Sequence, residues 1–120
     1  MKLKNILIVV DDIEKSKRFY KALFCLDIVS YNEGNAILTG GLVLQDRKIW
    51  ENYLGKDVIV PNHAAELYFE ESDIESFVKK LEAYEEQIQY VNPLTKFPWG
   101  QKMLRIYDPN GILIEVRTPE

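Results

Sequence analysis

Hydrophobic and polar residues change period along the chain in a pattern that occurs twice. The stretch ILIVVDDIEKSKRFYKAL (6–23) opens with an apolar run and continues with apolar residues at helical spacing. The stretch ELYFEESDIESFVKKLEAY (66–84) has the same form, and both contain Asp-Ile-Glu. The pattern predicts a strand followed by a helix in each half of the chain.

Capping residues indicate where both helices begin. In the first half, Asp11 can cap the helix, with Glu14 three residues later as in a capping box. In the second half, Ser72 and Glu75 have the same spacing. We therefore expect the two helices to start just after Asp11 and Ser72.

Three further strand-like segments follow each helix. They are DIVSY, NAILT and GLVLQ in the first half, and QIQYV, QKMLRIY and GILIEV in the second. The last segments align Gln45 with Glu115 at an offset of 70, whereas the first strands align Asn5 with Glu66 at an offset of 61. The second half is therefore longer, and the surplus falls at VNPLTKFPWG (91–100), which the prolines and glycine predict to be a loop.

The predicted fold is α+β, with two βαβββ modules. The length of 120 residues and a hydrophobic content of 47% suit one domain over residues 1–120. Module 1 covers about 1–48, a bridge with a short helix near 47–54 covers about 47–62, and module 2 covers about 63–120. DPNG at 108–111 predicts a hairpin turn. Because neither module alone buries much surface, we expect them to share a core.

Composition excludes several function classes. The net charge is −4 and no basic block is present, which argues against nucleic acid as a partner. No apolar run approaches the ~20 residues that a membrane-spanning helix needs. The single cysteine, Cys25, excludes an intramolecular disulfide, and we expect a cytoplasmic location.

Side chains alternate across each strand, so the two sheet faces of module 2 can be compared. One face is uniformly apolar and is assigned to the helix side. The other mixes polar, aromatic and apolar residues, namely Glu66, Tyr68, Met103, Arg105, Tyr107, Leu113, Glu115 and Arg117. Ligand sites have this mixture of an apolar lining with a few polar groups. The alternative is that Glu66 and Glu115 form ordinary ion pairs with Arg105 and Arg117.

The aromatic residues of the 97–100 segment have two interpretations. Phe97 and Trp99 can form a hydrophobic plug that anchors a long connection. They can instead form a lid or stacking wall over a ligand, since loops on a rigid scaffold often carry binding residues.

The motifs VVDDIEKSKRFY, PWGQ and DPNGILIEV together resemble the vicinal oxygen chelate superfamily, which includes glyoxalase I, bleomycin-resistance proteins, fosfomycin-modifying enzymes and extradiol dioxygenases. The resemblance covers nearly the whole chain. It implies paired βαβββ modules that form a cupped mixed sheet with the helices outside, commonly in a homodimer. It also implies a divalent metal held by the first and last strands of each module, at Asn5, Gln45, Glu66 and Glu115.

Two positions depart from that pattern. Many metal-dependent members have histidine where this chain has Asn5, and a glycine commonly follows the first helix where this chain has Cys25. Two carboxylates and two amides offer only oxygen ligands, which suit Mg²⁺, Mn²⁺ or Ca²⁺ better than Zn²⁺ or Ni²⁺. The only histidine, His63, lies three residues before Glu66, so strand parity places it on the opposite face.

The sequence therefore predicts a small-molecule-binding protein without a tightly held transition metal. Its ligand would lie in a cup lined by Glu66, Glu115 and Arg105 and by further ligand-binding residues, Tyr68, Phe97, Trp99, Met103 and Tyr107. The alternative is a divalent-metal-dependent lyase, isomerase or transferase with Glu66 and Glu115 as catalytic residues, either metal ligands or a base. Whether the protein is an enzyme stays open at this stage. No nucleic-acid or membrane partner is expected.

Overall fold

The computed structural model describes residues 1–120 and contains the β-α-β-β-β order twice. The chain forms two compact units, Met1–Ile59 and Val60–Glu120, each with one four-stranded mixed sheet. The predicted α+β class with two βαβββ modules is confirmed. No helix is long and apolar enough to cross a membrane.

The first unit contains four strands, two helices and one 3-10 turn. Its elements are β1 (Ile6–Val10), α1 (Ile13–Phe24), β2 (Ile28–Asn32), β3 (Asn35–Leu38), the turn Thr39–Gly41, β4 (Leu42–Asp46) and α2 (Arg47–Leu54). The strand order is β1-β4-β3-β2, in which β1 and β4 are parallel and the other pairs are antiparallel. The short bridging helix predicted near 47–54 is α2.

The second unit repeats this topology. Its elements are β5 (Glu66–Glu70), α3 (Ile74–Ala83), β6 (Gln89–Lys96), β7 (Lys102–Tyr107) and β8 (Leu113–Arg117). The strand order is β5-β8-β7-β6, again with the first pair parallel and the others antiparallel. The first and last strands of the module are therefore adjacent, as in unit 1.

The predicted helix caps are wrong by one residue in both helices. The capping residues are Asp12, which accepts a hydrogen bond from the Lys15 backbone N–H at 3.1 Å, and Asp73, which accepts one from the Ser76 N–H at 3.2 Å. Asp11 instead accepts a hydrogen bond from Arg47. In α1 both Asp11 and Asp12 are good capping residues. They differ in that Asp11 contacts Arg47, and the cap is then Asp12.

Strand β6 runs through most of the segment predicted to be a loop. It extends to Lys96, and its pairing with β7 shifts register on both sides of Asn92. Pro93 fits because β6 is an edge strand, where a missing N–H costs no ladder bond. The connection itself is a tight turn in which the Phe97 N–H donates to Gln101 O at 2.8 Å.

The core of unit 2 lies on the face that the sequence assigned to the helix. The sheet contributes four residues that are at most 1% exposed, Leu104, Ile106, Ile114 and Val116. Helix α3 contributes Ile74, Phe77 and Leu81, which are also buried. Burying each such side chain stabilises the fold by about 1.5–3 kcal/mol.

The DPNG hairpin sets the pairing of β7 with β8. The Asp108 carboxylate accepts hydrogen bonds from the backbone N–H groups of Asn110 and Ile112, at 2.7 and 2.9 Å. Gly111 has φ +81°, and a Cβ there would lie 2.6 Å from the Cβ of Pro61. Only glycine meets both conditions without strain. The predicted turn is confirmed, and it places Arg105 directly opposite Glu115.

Candidate functional site

The polar and aromatic residues of the second sheet share one face, which we call the mixed face. It consists of Glu66, Tyr68 and Glu70 on β5, Leu113, Glu115 and Arg117 on β8, and Met103, Arg105 and Tyr107 on β7. The register places Tyr68 and Arg105 on either side of Glu115, and Met103 opposite Arg117. Adjacent strands therefore bring these side chains within contact distance of one another.

Glu115 is held between two arginines. It is 5% exposed, and its Oε1 lies 2.7 Å from Nη2 of Arg105, while its Oε2 lies 2.8 Å from Nε of Arg117. Oε2 thus accepts a charge-assisted hydrogen bond from Arg117, and Oε1 forms a close ion pair with Arg105. For Glu115, the structure contains the ion pairs that the sequence left as an alternative.

The ion pairs extend into a wider hydrogen-bond network. Nη1 of Arg105 donates to Asn92 Oδ1 at 2.8 Å, and Nη1 of Arg117 lies 3.4 Å from Gln101 Oε1. Gln101, only 5% exposed, also accepts from the Trp99 indole N–H at 3.2 Å and donates to the Thr118 carbonyl at 2.8 Å. Gln101 therefore connects the arginine–glutamate cluster to the aromatic turn.

The aromatic turn lies against this network. Phe97 and Trp99 stack with ring centroids 4.5 Å apart and planes 13° apart, and the Arg117 guanidinium carbon lies 5.0 Å from the Phe97 centroid. Trp99 is 67% exposed. A cavity of about 400 Å³ beside it is lined by Trp99, Gly100, Gln101, Thr118, Pro119 and Glu120. We call Phe97, Trp99, Gln101, Arg105, Glu115 and Arg117 together the arginine–aromatic cluster.

The other predicted residues of the second unit lie around this cluster. Glu66 is exposed, forms no hydrogen bond or ion pair, and pairs with Leu113, two residues before Glu115. The two carboxylates are therefore diagonal neighbours, with Cα atoms about 7–8 Å apart. Tyr68 is 50% exposed, and Met103 is buried and lies opposite Arg117 on the neighbouring strand.

His63 lies on the mixed face, contrary to the parity argument. Its ring stacks on Tyr107 with centroids 5.4 Å apart. Strand β5 begins only at Glu66, and His63 has φ +52°, so the alternation of an extended strand does not apply to it.

The two predicted residues of the first unit are apart in the structure. Gln45 is 6% exposed, accepts a hydrogen bond from Asn35 at 2.8 Å and donates to the Asp46 carbonyl at 3.2 Å. Asn5 precedes the β1–β4 ladder, and its side-chain oxygen lies 3.7 Å from where a Cβ on Gly41 would be. Asn5 therefore lies beside Gly41, which precedes Gln45 by four residues along the chain. This separation corresponds to about 13 Å along a strand, so Asn5 and Gln45 do not meet.

The internal repeat relates a neutral pair in one unit to a charged pair in the other. At the offset of 70, Asn35 and Gln45 correspond to Arg105 and Glu115, and both pairs are opposite each other in their sheets. Arg47, which corresponds to Arg117, starts α2 and binds carboxylates of its own unit. The arginine–aromatic cluster is therefore a property of the second unit alone.

In neither unit do the oxygen atoms at the predicted metal-binding positions fit a divalent cation as they are arranged here. Each oxygen of Glu115 is already paired with a guanidinium group, and Gln45 Oε1 accepts a hydrogen bond from Asn35. No group of three or more His, Cys, Asp or Glu side chains is close enough to hold a metal. A cation beside Glu115 would also face two fixed positive charges.

Sequence reasoning missed three residues that complete these networks, Asn35, Asn92 and Gln101. Asn35 lies opposite Gln45, and Asn92 lies in the segment predicted to be a loop. Gln101 directly follows the aromatic turn in the PWGQ motif. The partly buried arginines need further acceptors, and this requirement points to Asn92 and Gln101. Asn35 is a donor to Gln45, and no such requirement indicates it.

Comparison with known proteins supports one family. The glyoxalase-like domain model matches residues 3–119. Among solved structures, a protein of unknown function from Agrobacterium tumefaciens strain C58 is 26% identical, with a TM-score of 0.84 over 100% of this chain and 95% of that one. No curated protein matches.

Two named neighbours share the fold at lower identity. A glyoxalase/bleomycin resistance protein/dioxygenase from Nocardioides is 20% identical, with a TM-score of 0.73 over 98% of this chain and 83% of that one. A lactoylglutathione lyase from Agrobacterium tumefaciens is 22% identical, with a TM-score of 0.68 over 98% and 92%. With the match over residues 3–119, the repeated βαβββ topology shows that this chain belongs to the glyoxalase-like family of the vicinal oxygen chelate superfamily.

Proposed function

We propose that the protein binds a small molecule at the arginine–aromatic cluster, without a tightly held transition metal. The observation that carries this proposal is the position of Gln101. It accepts hydrogen bonds from both Trp99 and Arg117, and so holds an exposed aromatic ring and a cation next to each other. Binding sites combine apolar contact area with a few fixed polar groups in this way.

The arginines keep hydrogen-bonding capacity that the protein does not use. Arg105 Nε and Arg117 Nη2 have no protein acceptor, whereas the remaining guanidinium nitrogens bind Glu115, Asn92 or Gln101. The two side chains are 29% and 23% exposed, so these donors are accessible to a ligand. Because the protein already holds the guanidinium groups in place, a ligand loses less entropy on binding them.

In this proposal Glu115 is a positioning residue. Its two oxygens pair with Arg105 and Arg117, so the proposal gives Glu115 no direct role as base or metal ligand. Glu66 is exposed and lacks such partners, so it lies at the margin of the proposed site. The ligand contacts are assigned to the arginines and to Trp99.

The first experiment measures metal binding. Protein purified without chelator is analysed for metal content and then titrated with Mn²⁺, Mg²⁺, Zn²⁺ and Ni²⁺ in thermal-shift measurements. We expect no stoichiometric metal and no saturable rise in Tm. Stoichiometric metal that is lost in Glu115→Gln would contradict the proposal and support the metal-dependent enzyme.

The second experiment locates the ligand. A library of amphipathic small molecules is screened by quenching of tryptophan fluorescence. The chain has two tryptophans, Trp50 and Trp99, so Trp50→Phe and Trp99→Phe are matched variants. Quenching by a true ligand should persist in Trp50→Phe and disappear in Trp99→Phe. The opposite result would place the ligand near α2 and exclude the arginine–aromatic cluster.

A further inference from the structure

We propose that the ligand of the arginine–aromatic cluster is a planar organic anion, such as an aromatic carboxylate. This inference rests on the proposed function, because it names the ligand class of the same site. Two guanidinium groups and one carboxylate leave the ion-paired centre with one net positive charge. The buried carboxylate of Glu115 is already neutralised by the arginines. The excess charge of this centre is therefore positive, and an anionic ligand can compensate it.

The geometry of Arg117 indicates where the anion binds. Its Nε donates to Glu115 at 2.8 Å, its Nη1 makes only a long contact of 3.4 Å with Gln101, and its Nη2 has no protein acceptor. The terminal edge of the guanidinium group is thus the part with unused donors. Two parallel hydrogen bonds from such an edge match the two oxygens of a carboxylate.

The aromatic turn indicates why the anion should be planar. The Arg117 guanidinium, the Phe97 ring and the Trp99 ring follow one another in two steps of 5.0 and 4.5 Å. The Trp99 indole N–H and Nη1 of Arg117 also share Gln101 Oε1 as an acceptor, at 3.2 and 3.4 Å, so a flat ligand that contacts the exposed Trp99 ring lies near the free donors of Arg117. The adjoining cavity of about 400 Å³ is at the small end of the range for ligand pockets, which favours a ligand of one or two rings.

The other charges near the cluster do not favour a cationic ligand. Glu66 and Glu70 lie on the same face, but both are exposed and neither forms an ion pair. Solvent and salt screen such charges strongly. Glu120, at the edge of the cavity, is exposed as well. A cation at Arg117 would meet a fixed positive charge, and Glu115 is already paired with both arginines.

The test compares three naphthalene ligands of similar size by isothermal titration calorimetry: the anion 2-naphthoate, the neutral 2-naphthamide and the cation 2-naphthylmethylammonium. We expect 2-naphthoate to bind at least about tenfold more tightly than 2-naphthamide, because a charge-assisted hydrogen bond is stronger than a neutral one. Arg117→Gln should remove this preference. Lys79→Gln removes one exposed positive charge on α3 and should retain the preference, which makes it the matched control.

Several results would overturn the inference. Equal binding of 2-naphthoate and 2-naphthamide, or tighter binding of the ammonium compound, would exclude an anion site. If none of the three binds while another library compound quenches Trp99, the ligand class is wrong and the proposed function stands. If no library compound acts on Trp99 either, the proposed function fails too. Should Arg117→Gln not fold, the comparison of the three ligands on the unaltered protein still decides, with Arg117→Lys as the second variant.

Discussion

At the scale of the residue, Glu115 shows how a buried charge is accommodated in an apolar strand. Burying an isolated carboxylate is expensive, and its cost is reduced when each oxygen accepts a charge-assisted hydrogen bond. Arg117, two residues further along β8, supplies such a bond, and Arg105 on the neighbouring strand adds an ion pair. Asn92 and Gln101 then accept from the arginines, which leaves one donor nitrogen on each arginine unused.

Replacing Glu115 tests this interpretation. Glu115→Gln should lower the free energy of unfolding by about 1–3 kcal/mol, because it leaves two partly buried guanidinium groups without a counter-charge. Urea denaturation followed by circular dichroism measures the change. Glu66→Gln is the matched control and should change stability by less than about 0.5 kcal/mol, since Glu66 is exposed and unpaired. An unchanged or increased stability of Glu115→Gln would show that the ion pairs contribute nothing to folding.

At the scale of the element, helix α1 ends in an αL C-cap motif, at a residue that does not favour the left-handed conformation. The N–H groups of Cys25 and Leu26 donate to the carbonyls of Lys21 and Tyr20, both at 3.2 Å, and Cys25 has φ +56°. Glycine is the usual residue at this position because it has no Cβ. The structure thus explains why a family pattern with glycine here is compatible with the same turn.

We therefore predict that Cys25→Gly stabilises the protein. The left-handed conformation costs a residue with a Cβ about 1–2 kcal/mol, and the greater flexibility of glycine in the unfolded chain offsets part of the gain. A net increase of about 0.5–1 kcal/mol should appear in urea denaturation. Cys25→Ser keeps the Cβ at this exposed position and should be nearly neutral. A loss of stability in Cys25→Gly would contradict the backbone explanation.

Helix α3 should make the stability of the protein depend on pH through its cap. Hydrogen bonds from the Ser76 hydroxyl and the Ser76 backbone N–H hold the pKa of Asp73 below its ordinary value. The cap therefore contributes fully above the pKa of Asp73 in the unfolded chain, and its contribution is lost as the pH falls through the lower pKa of the folded state.

The matched variant is Asp73→Asn, which keeps an acceptor but does not titrate. Tm measured from about pH 6 to about pH 3 should fall more steeply for the unaltered protein than for Asp73→Asn. Ser76→Ala removes the hydroxyl donor and should reduce the extra slope. Parallel curves for all three proteins would exclude Asp73 as the source of the pH dependence.

At the scale of the whole molecule, two units of one topology have different chemistry at equivalent positions. The amide pair Asn35 and Gln45 occupies the place that Arg105 and Glu115 occupy in the second unit. Neither unit leaves a buried side-chain polar atom without a hydrogen-bond partner, so the fold tolerates either pair.

We also predict that the protein is a homodimer. Both sheets have an edge strand with exposed large apolar residues, Ile28, Val29 and Tyr31 on β2 and Tyr90, Val91 and Leu94 on β6. Such edges favour pairing with another chain.

Light scattering should give about 28 kDa, twice the chain mass of 14.0 kDa. Val29→Lys should weaken the dimer if β2 forms the contact, whereas Tyr53→Lys, at an even more exposed site on α2, should not. A mass of one chain at all concentrations would refute the prediction.

The sequence by itself determined the repeated element order, the α+β class, the short bridging helix, the DPNG hairpin and the face on which each strand residue lies. These features depend on local propensity and on the period of hydrophobic residues, which are visible in a single sequence. Only the tertiary structure decided which carboxylate is neutralised. Asn92 and Gln101, which accept hydrogen bonds from the arginines that pair with Glu115, come from a register shift in β6 and from the turn after it. Hydrophobic periodicity predicts neither of them. The tertiary structure also decided the position of His63, whose left-handed backbone ends the strand alternation. Interactions between distant segments and positive φ angles depend on packing, and this is why they could not be predicted from the pattern alone.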